Sequence, residues 1–173
     1  IDAAGQISCV GCDCGVGGET IINCGDAVVS PGLINTHDHI TFTQNNPYTD
    51  TGERYEQRHD WRKGLNGHTK IAAAGAATGA QVSWGELRFL MGGATSIVGA
   101  GGAAGLVRNL DKTTQEGLNH TPVKFDTFPL DDSGGTQLAS TCNYGAMPTT
   151  MASLANEVAY EPHTAEGIDA YAH

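Results

Sequence analysis

A chain of 173 residues with 19 acidic side chains against 9 Lys+Arg carries a formal net charge of −10. Its few basic residues are scattered, so the electrostatic attraction that binding to nucleic acid or an anionic membrane needs is missing, and both are excluded as partners. No apolar run approaches the ~20 residues that span a bilayer, and no signal-peptide pattern is visible. Residues 1–30 hold short alternating pieces, Gln6-Ile7-Ser8-Cys9-Val10 and Thr20-Ile21-Ile22-Asn23-Cys24, separated by Gly15, Gly17 and Gly18. They read as antiparallel strands joined by glycine turns.

Pro31-Gly32 starts a new element. Leu33-Ile34 is a short buried run that turns polar at Asn35-Thr36-His37-Asp38-His39. In an extended segment the side chains at i and i+2 share a side, so His37 and His39 can face one cation while Asp38 points away, without a catalytic role. Imidazole nitrogen suits zinc, and also iron or nickel. A long polar stretch from Thr41 to about Thr69 follows. The apolar positions 84, 87, 90 and 91 then predict a helix over 81–91, with Trp84 on its core face. Gly92-Gly93 closes that helix. Residues 94–98 read as the second strand, 122–128 as the third, 150–156 as a weak helix and 157–162 as the fourth strand. Gly99–Gly105 reads as a tight strand-to-helix connection or as a loop that lets backbone approach a ligand, and it does not match a nucleotide motif. Repeated β-then-α units predict a parallel sheet with crossover helices.

With Ser30-Pro31-Gly32-Leu33-Ile34-Asn35-Thr36-His37-Asp38-His39-Ile40 as its most telling stretch, the chain resembles the amidohydrolase superfamily of metal-dependent hydrolases, in its deaminase-like subgroup. The helix-Gly-Gly-x-Thr-x-Ile-Val passage at 81–98 and the His-x-x-Glu-Gly cluster at 163–167 carry the same resemblance. It implies an α/β fold: about the first four β/α units of a (β/α)8 barrel over 31–173, preceded by strands of a small flanking β-sandwich over 1–30. A complete barrel typically takes about 250 residues. The chain therefore reads as the N-terminal portion of a longer protein, with a complete small domain as the competing reading.

The resemblance implies that His37 and His39 are metal ligands. His163 and Glu166 are expected as substrate-binding groups first, with His163 as a ligand second. His163 stands where binuclear members carry a carboxylated lysine, so a one-metal site is favoured, with zinc or another divalent cation. The implied function is hydrolysis of a C–N bond in a small molecule, by deamination or by opening an amide or cyclic amide. Metal-activated water is the nucleophile, and a histidine or carboxylate carries the proton to the leaving amine. In the family further ligands come from later strands, which leads to the expectation that these residues alone turn over no substrate and hold metal poorly.

Several residues stay open. Arg58-His59-Asp60 reads as a substrate clamp or as a paired charge cluster. His68 and His120 lack partners at useful spacing and read as surface residues. Cys9, Cys12, Cys14 and Cys24 fit a closed zinc site, two disulfides or unrelated thiols. The protein is expected in the cytoplasm, or exported if this cluster is disulfide-bonded. Cys142 has no triad partner. A non-enzymatic cysteine-rich metal-binding or structural domain, and a catalytically dead relative, are the alternative functions. A homo-oligomer is compatible with either.

Overall fold

The structure is a computed structural model; it describes residues 1–173 except 4–5, 16, 100–102, 104–105, 113–119, 139, 142, 146–148, 165, 169–171 and 173. Cys142 and most of the 99–105 loop therefore lie outside the described residues. Among the described residues the elements run β1 (Leu33–Asn35), a 3-10 turn (Ile40–Phe42), α1 (Arg58–Lys63), α2 (Gly79–Met91), β2 (Ala94–Ile97), β3 (Arg108–Asn109), β4 (Lys124–Asp126), α3 (Met151–Leu154) and β5 (Tyr160–Pro162).

Every strand pairing is parallel, but the strands form two sheets, β1-β2-β3 and β4-β5, and not part of a barrel. The expected partial (β/α)8 barrel is thus corrected. The physical reason lies in strand length. A barrel needs an unbroken ladder from strand to strand, and β3 is two residues long. Beyond it, the Val123 N–H donates to the Leu110 carbonyl at 2.7 Å, yet no ladder forms between β3 and β4 among the described residues. The flanking sandwich is corrected too: the described part of 1–30 contains no strand, and Ile21, Ile22, Val28 and Val29 lie exposed. Local alternation there has no facing sheet to pair with, and an isolated hairpin is marginal in water.

The core sits under the first sheet. Ile40, Val82, Ile97 and Val107 are buried together, with Ala77, Phe89, Leu90 and Ala103 packed against them. Helix α2 starts at an N-cap, where Thr78 Oγ1 accepts from the Gln81 N–H at 3.4 Å and Gln81 Oε1 accepts from the Thr78 N–H at 2.8 Å. This reciprocal pair is a capping box, and it satisfies two otherwise orphaned donors. At the other end Gly93 takes φ +86°, the left-handed conformation that favours glycine.

The inward face of α2 is only in part the one apolar spacing predicts, since Leu90 packs against the core but Trp84 and Met91 do not. Val82, Gly85 and Glu86 are buried, whereas Trp84 is 63 % exposed and Met91 80 %. Two residues set this rotation. A Cβ at Gly85 would lie 2.6 Å from Thr43 Oγ1 and 2.7 Å from Ile40 Cδ1, so glycine lets the 3-10 turn dock on the helix. Glu86 is fully buried, and its carboxylate accepts from the Ala103 N–H (2.7 Å), the Val107 N–H (3.4 Å) and Asn109 Nδ2 (3.2 Å). It ties the helix to the loop before β3 and to β3 itself. Turning Trp84 inward would withdraw the Glu86 carboxylate and leave its buried donors unpaired, at about 1–3 kcal/mol each.

Leu33 and Ile34, expected as a buried run, are 66 % and 60 % exposed, because β1 is an edge strand with no element over it among the described residues. The cysteines resolve into one disulfide, Cys9–Cys14, with Cys12 and Cys24 as exposed free thiols. Among the described residues no four-thiolate site forms, because two of the four sulfurs are joined in the disulfide. No helix among the described residues is long and apolar enough to cross a membrane.

Gly85→Ala tests the docking of α2. Alanine favours a helix over glycine by about 1 kcal/mol, but overpacking a filled contact costs about 1–3 kcal/mol. The expected outcome is a lower urea midpoint despite the better helix former.

Candidate metal centre

The His-x-His segment is held extended because the β1–β2 pairing runs past the formal strand ends. The Val98 N–H donates to the Asn35 carbonyl (2.9 Å), the Asp38 N–H to the Val98 carbonyl (2.9 Å), and the Ile40 N–H to the Gly99 carbonyl (3.2 Å). The Asn35 side chain also accepts the His37 N–H at 3.2 Å. His39 then caps the 3-10 turn and ends the extended run. His163 arrives from the other sheet, one residue after β5. Its N–H donates to the Asp126 carbonyl at the end of β4 (2.9 Å), and its Nδ1 lies 3.2 Å from the same oxygen.

The three imidazoles converge. One nitrogen from each of His37, His39 and His163 lies within 4.8 Å of the others. His39 Nε2 and His163 Nε2 are 3.0 Å apart, and the ring centroids of His37 and His163 are 4.4 Å apart. Side-chain exposure falls from 48 % at His37 to 7 % at His163, so the cluster opens to solvent on the His37 side. A shallow pocket lined by His37, Asp38, His39, Val98, Phe125, Glu161 and His163 covers it. Asp38 lies between the two ligand candidates, and its carboxylate meets the Asn35 amide. Burial raises its carboxyl above the usual range, against hydrogen bonding from Asn35, whose Nδ2 is 3.4 Å from Asp38 Oδ2.

This donor set can hold a divalent cation. Burial first, then the neighbouring His163 and His37, lowers the His39 pKa below the ordinary imidazole value, so its lone pair is free at neutral pH. The Asp126 carbonyl can only accept, so the His163 proton belongs on Nδ1 and its Nε2 faces the cluster as an acceptor. The His39 and His163 Nε2 atoms, 3.0 Å apart, are at hydrogen-bond distance, with His163 as the acceptor, and a shared cation would replace that contact. Tetrahedral zinc with bonds of about 2.0–2.1 Å needs nitrogens about 3.3–3.4 Å apart, a small adjustment of these rings.

Two carboxylates flank the imidazoles. Glu161 Oε1 lies 3.1 Å from His37 Nδ1. Glu166 Oε1 lies 4.0 Å from His163 Nε2, while its Oε2 takes a 2.9 Å ion pair from Arg58 Nη1. Arg58 is 12 % exposed and also pairs with Asp132 (2.8 Å) and donates to the Thr127 carbonyl (2.7 Å). His59 Nε2 meets the same Asp132 oxygen at 2.7 Å, and the Phe128 ring lies 4.7 Å from both the Arg58 and the Arg62 guanidinium. Asp60 is buried and accepts from the Glu56 and Gln57 N–H groups (3.2 and 3.1 Å) and from Asn66 Nδ2 (2.7 Å). Of the two sequence readings of Arg58-His59-Asp60, the paired charge cluster is the one observed. It is buried, and through Arg58 it reaches Glu166, beside His163.

His68 is not a free surface group: it pairs with Glu53 (3.1 Å) and Asp60 (3.7 Å) and stands against the Tyr55 ring. His120 Nε2 lies 3.1 Å from the Leu110 carbonyl. Glu161 and Glu86 were missed by sequence reasoning. For Glu161 a signal existed, since it precedes His163 by two residues on a strand and shares its face. Nothing in the spacing marks Glu86, a charged residue on an apolar helix face. Comparison of the chain with protein-family models, curated proteins and solved structures gave no match.

Two measurements test this arrangement. Zinc titration by calorimetry is expected to give one site per chain, lost in His39→Ala and His163→Ala and kept in Cys12→Ala. Acid unfolding tests the Arg58 network. Burial raises the Asp60 and Asp132 carboxyls, but their hydrogen bonds outweigh it and both pKa values fall below the usual range. A carboxylate whose folded pKa is depressed stabilises the protein above its unfolded value of about 3.9, and that stability is lost as pH falls through the folded value. Urea midpoints are therefore expected to drop steeply below about pH 4. Asp132→Ala should cost about 3 kcal/mol or more at neutral pH and flatten that acid slope.

Proposed function

We propose that this protein is a metal-dependent hydrolase of the amidohydrolase type. It acts on a C–N bond of a small-molecule substrate, by deamination or by opening an amide or cyclic amide. His37, His39 and His163 hold one divalent cation, zinc by the chemistry of an all-imidazole set. The observation that carries the reading is the convergence of three imidazoles from the carboxyl ends of parallel strands in two different sheets.

When bound, the cation supplies Lewis acidity and makes water nucleophilic near neutral pH. The chain's own residues do the rest. Glu166 Oε1 lies 4.0 Å from His163 Nε2 while Oε2 pairs with Arg58 at 2.9 Å, which leaves Oε1 as the acceptor beside the imidazole cluster. That oxygen orients the substrate amine and carries the proton to the leaving nitrogen. Phe125 and Val98 supply an apolar wall against which a flat ring can rest. The acidic surface fits an uncharged or cationic substrate better than an anionic one. The Cys9–Cys14 disulfide supports an oxidising compartment.

The zinc-loaded protein is assayed for ammonia release from amino-substituted heterocycles and for ring opening of cyclic amides. Against the expectation from sequence that these residues alone are inactive, the third imidazole from His163 leads us to expect turnover in one of the two, and Glu166→Gln should then lower kcat by about 10²–10⁴-fold with zinc still bound. Zinc binding without turnover on either class, or a Glu166→Gln variant as active as the parent, overturns the reading.

A further inference from the structure

His37 is the most exposed of the three imidazoles and the least braced by its own segment. Its recorded ring contacts are the other two histidines, with centroids 5.2 Å away at His39 and 4.4 Å at His163. A ring held only by its fellow ligands has no fixed rotation before a cation arrives. Glu161 supplies the missing constraint. Its Oε1 lies 3.1 Å from His37 Nδ1, with 23 % of the side chain exposed.

Glu161 is not one of the converging donors; these are His37, His39 and His163. It faces the Nδ1 side of the His37 ring. Strand β5 and the residue after it therefore contribute twice: His163 to the cluster itself, and Glu161, two residues earlier, to the back of a ring from the other sheet. His163 is braced in the same manner, by the Asp126 carbonyl at its own Nδ1.

We propose that Glu161 is the positioning residue of the metal centre. Its carboxylate accepts the Nδ1–H of His37, fixing the tautomer and rotation of the ring so that the Nε2 lone pair faces the cation. A carboxylate behind a ligating imidazole also raises the basicity of the donor nitrogen, and removing such a partner typically weakens metal binding about 10–100-fold. This inference rests on the three-histidine reading above, and it assigns Glu161 no contact with substrate.

The test uses the 173-residue chain and zinc alone, so it does not depend on knowing the substrate. Zinc affinity is measured for the parent, Glu161→Ala and Glu161→Gln. Circular dichroism monitors folding, and long-range ¹H–¹⁵N spectra of the imidazoles report the tautomer. In the parent, His37 is expected with its proton on Nδ1. Glu161→Ala should weaken zinc about 10–100-fold and mix the His37 tautomers while the fold stays intact. Glu161→Gln keeps an oxygen that accepts an N–H, and should restore the tautomer and most of the affinity. Parent-like affinity and tautomer in both variants overturn the proposal while leaving the metal site standing. Loss of an oxygen donor from the zinc X-ray absorption spectrum in Glu161→Gln also overturns it, by making Glu161 a ligand. A parent that takes up no zinc removes the three-histidine reading itself, and the proposal with it.

Discussion

One guanidinium holds together the parts of the molecule that the pocket needs. Arg58, at the first turn of α1, reaches the carboxylate of Glu166, the carboxylate of Asp132 and the carbonyl of Thr127, and its own N–H donates to the Glu166 carbonyl at 2.9 Å. Three segments far apart in sequence meet on a single planar fork. Arginine suits the task because its donors are fixed in one plane and its charge does not titrate away; a lysine would offer one mobile point of charge. Phe128 beneath the guanidinium excludes water from one face and favours the cation over the ring. Backbone pairing adds to this: the Ile168 N–H donates to the Glu56 carbonyl at 2.8 Å, and Gln57 bridges to Gly167. The segment carrying Glu166 is thus fastened on both sides of the carboxylate.

The histidine segments show what spacing can reveal. His37 and His39 sit one residue apart after an apolar run, and the extended backbone follows from pairing that the sequence marks with Leu33-Ile34 and with Ile97-Val98. Strands β2, β4 and β5 and helix α2 fall where period and punctuation put them. The family resemblance puts His163 on substrate first and on metal second, and distance in sequence says nothing about 3.0 Å in space. What spacing cannot convey is how strands are shared between sheets. Four short parallel strands are compatible with half a barrel or with two small sheets, and the difference turns on β3, a two-residue strand with no sequence signature.

Helix α2 illustrates a second limit. Hydrophobic periodicity presumes that the greasiest stripe faces inward. Here the inward stripe is chosen by a glycine that admits the 3-10 turn and by a glutamate that satisfies backbone donors. Both are invisible to a hydropathy count, since one has no side chain and the other is charged. Buried polar groups of this kind are expensive unless fully paired, and they therefore dictate geometry more strictly than another leucine would.

The division into two sheets bears on how the protein opens. The buried apolar cluster is built from α2, β2, the 3-10 turn and Val107 just before β3, while β4 and β5 lean on the arginine network. Amide exchange should then separate into two cooperative units, with the β2 amides slowest and the β4–β5 ladder released earlier. A cation bound by His37 and His39 from one unit and His163 from the other would merge them. It would convert two local openings into one, with a stabilisation that grows as the logarithm of its free concentration. Metal occupancy would then be legible far from the pocket, in the protection of strands that never touch the ion.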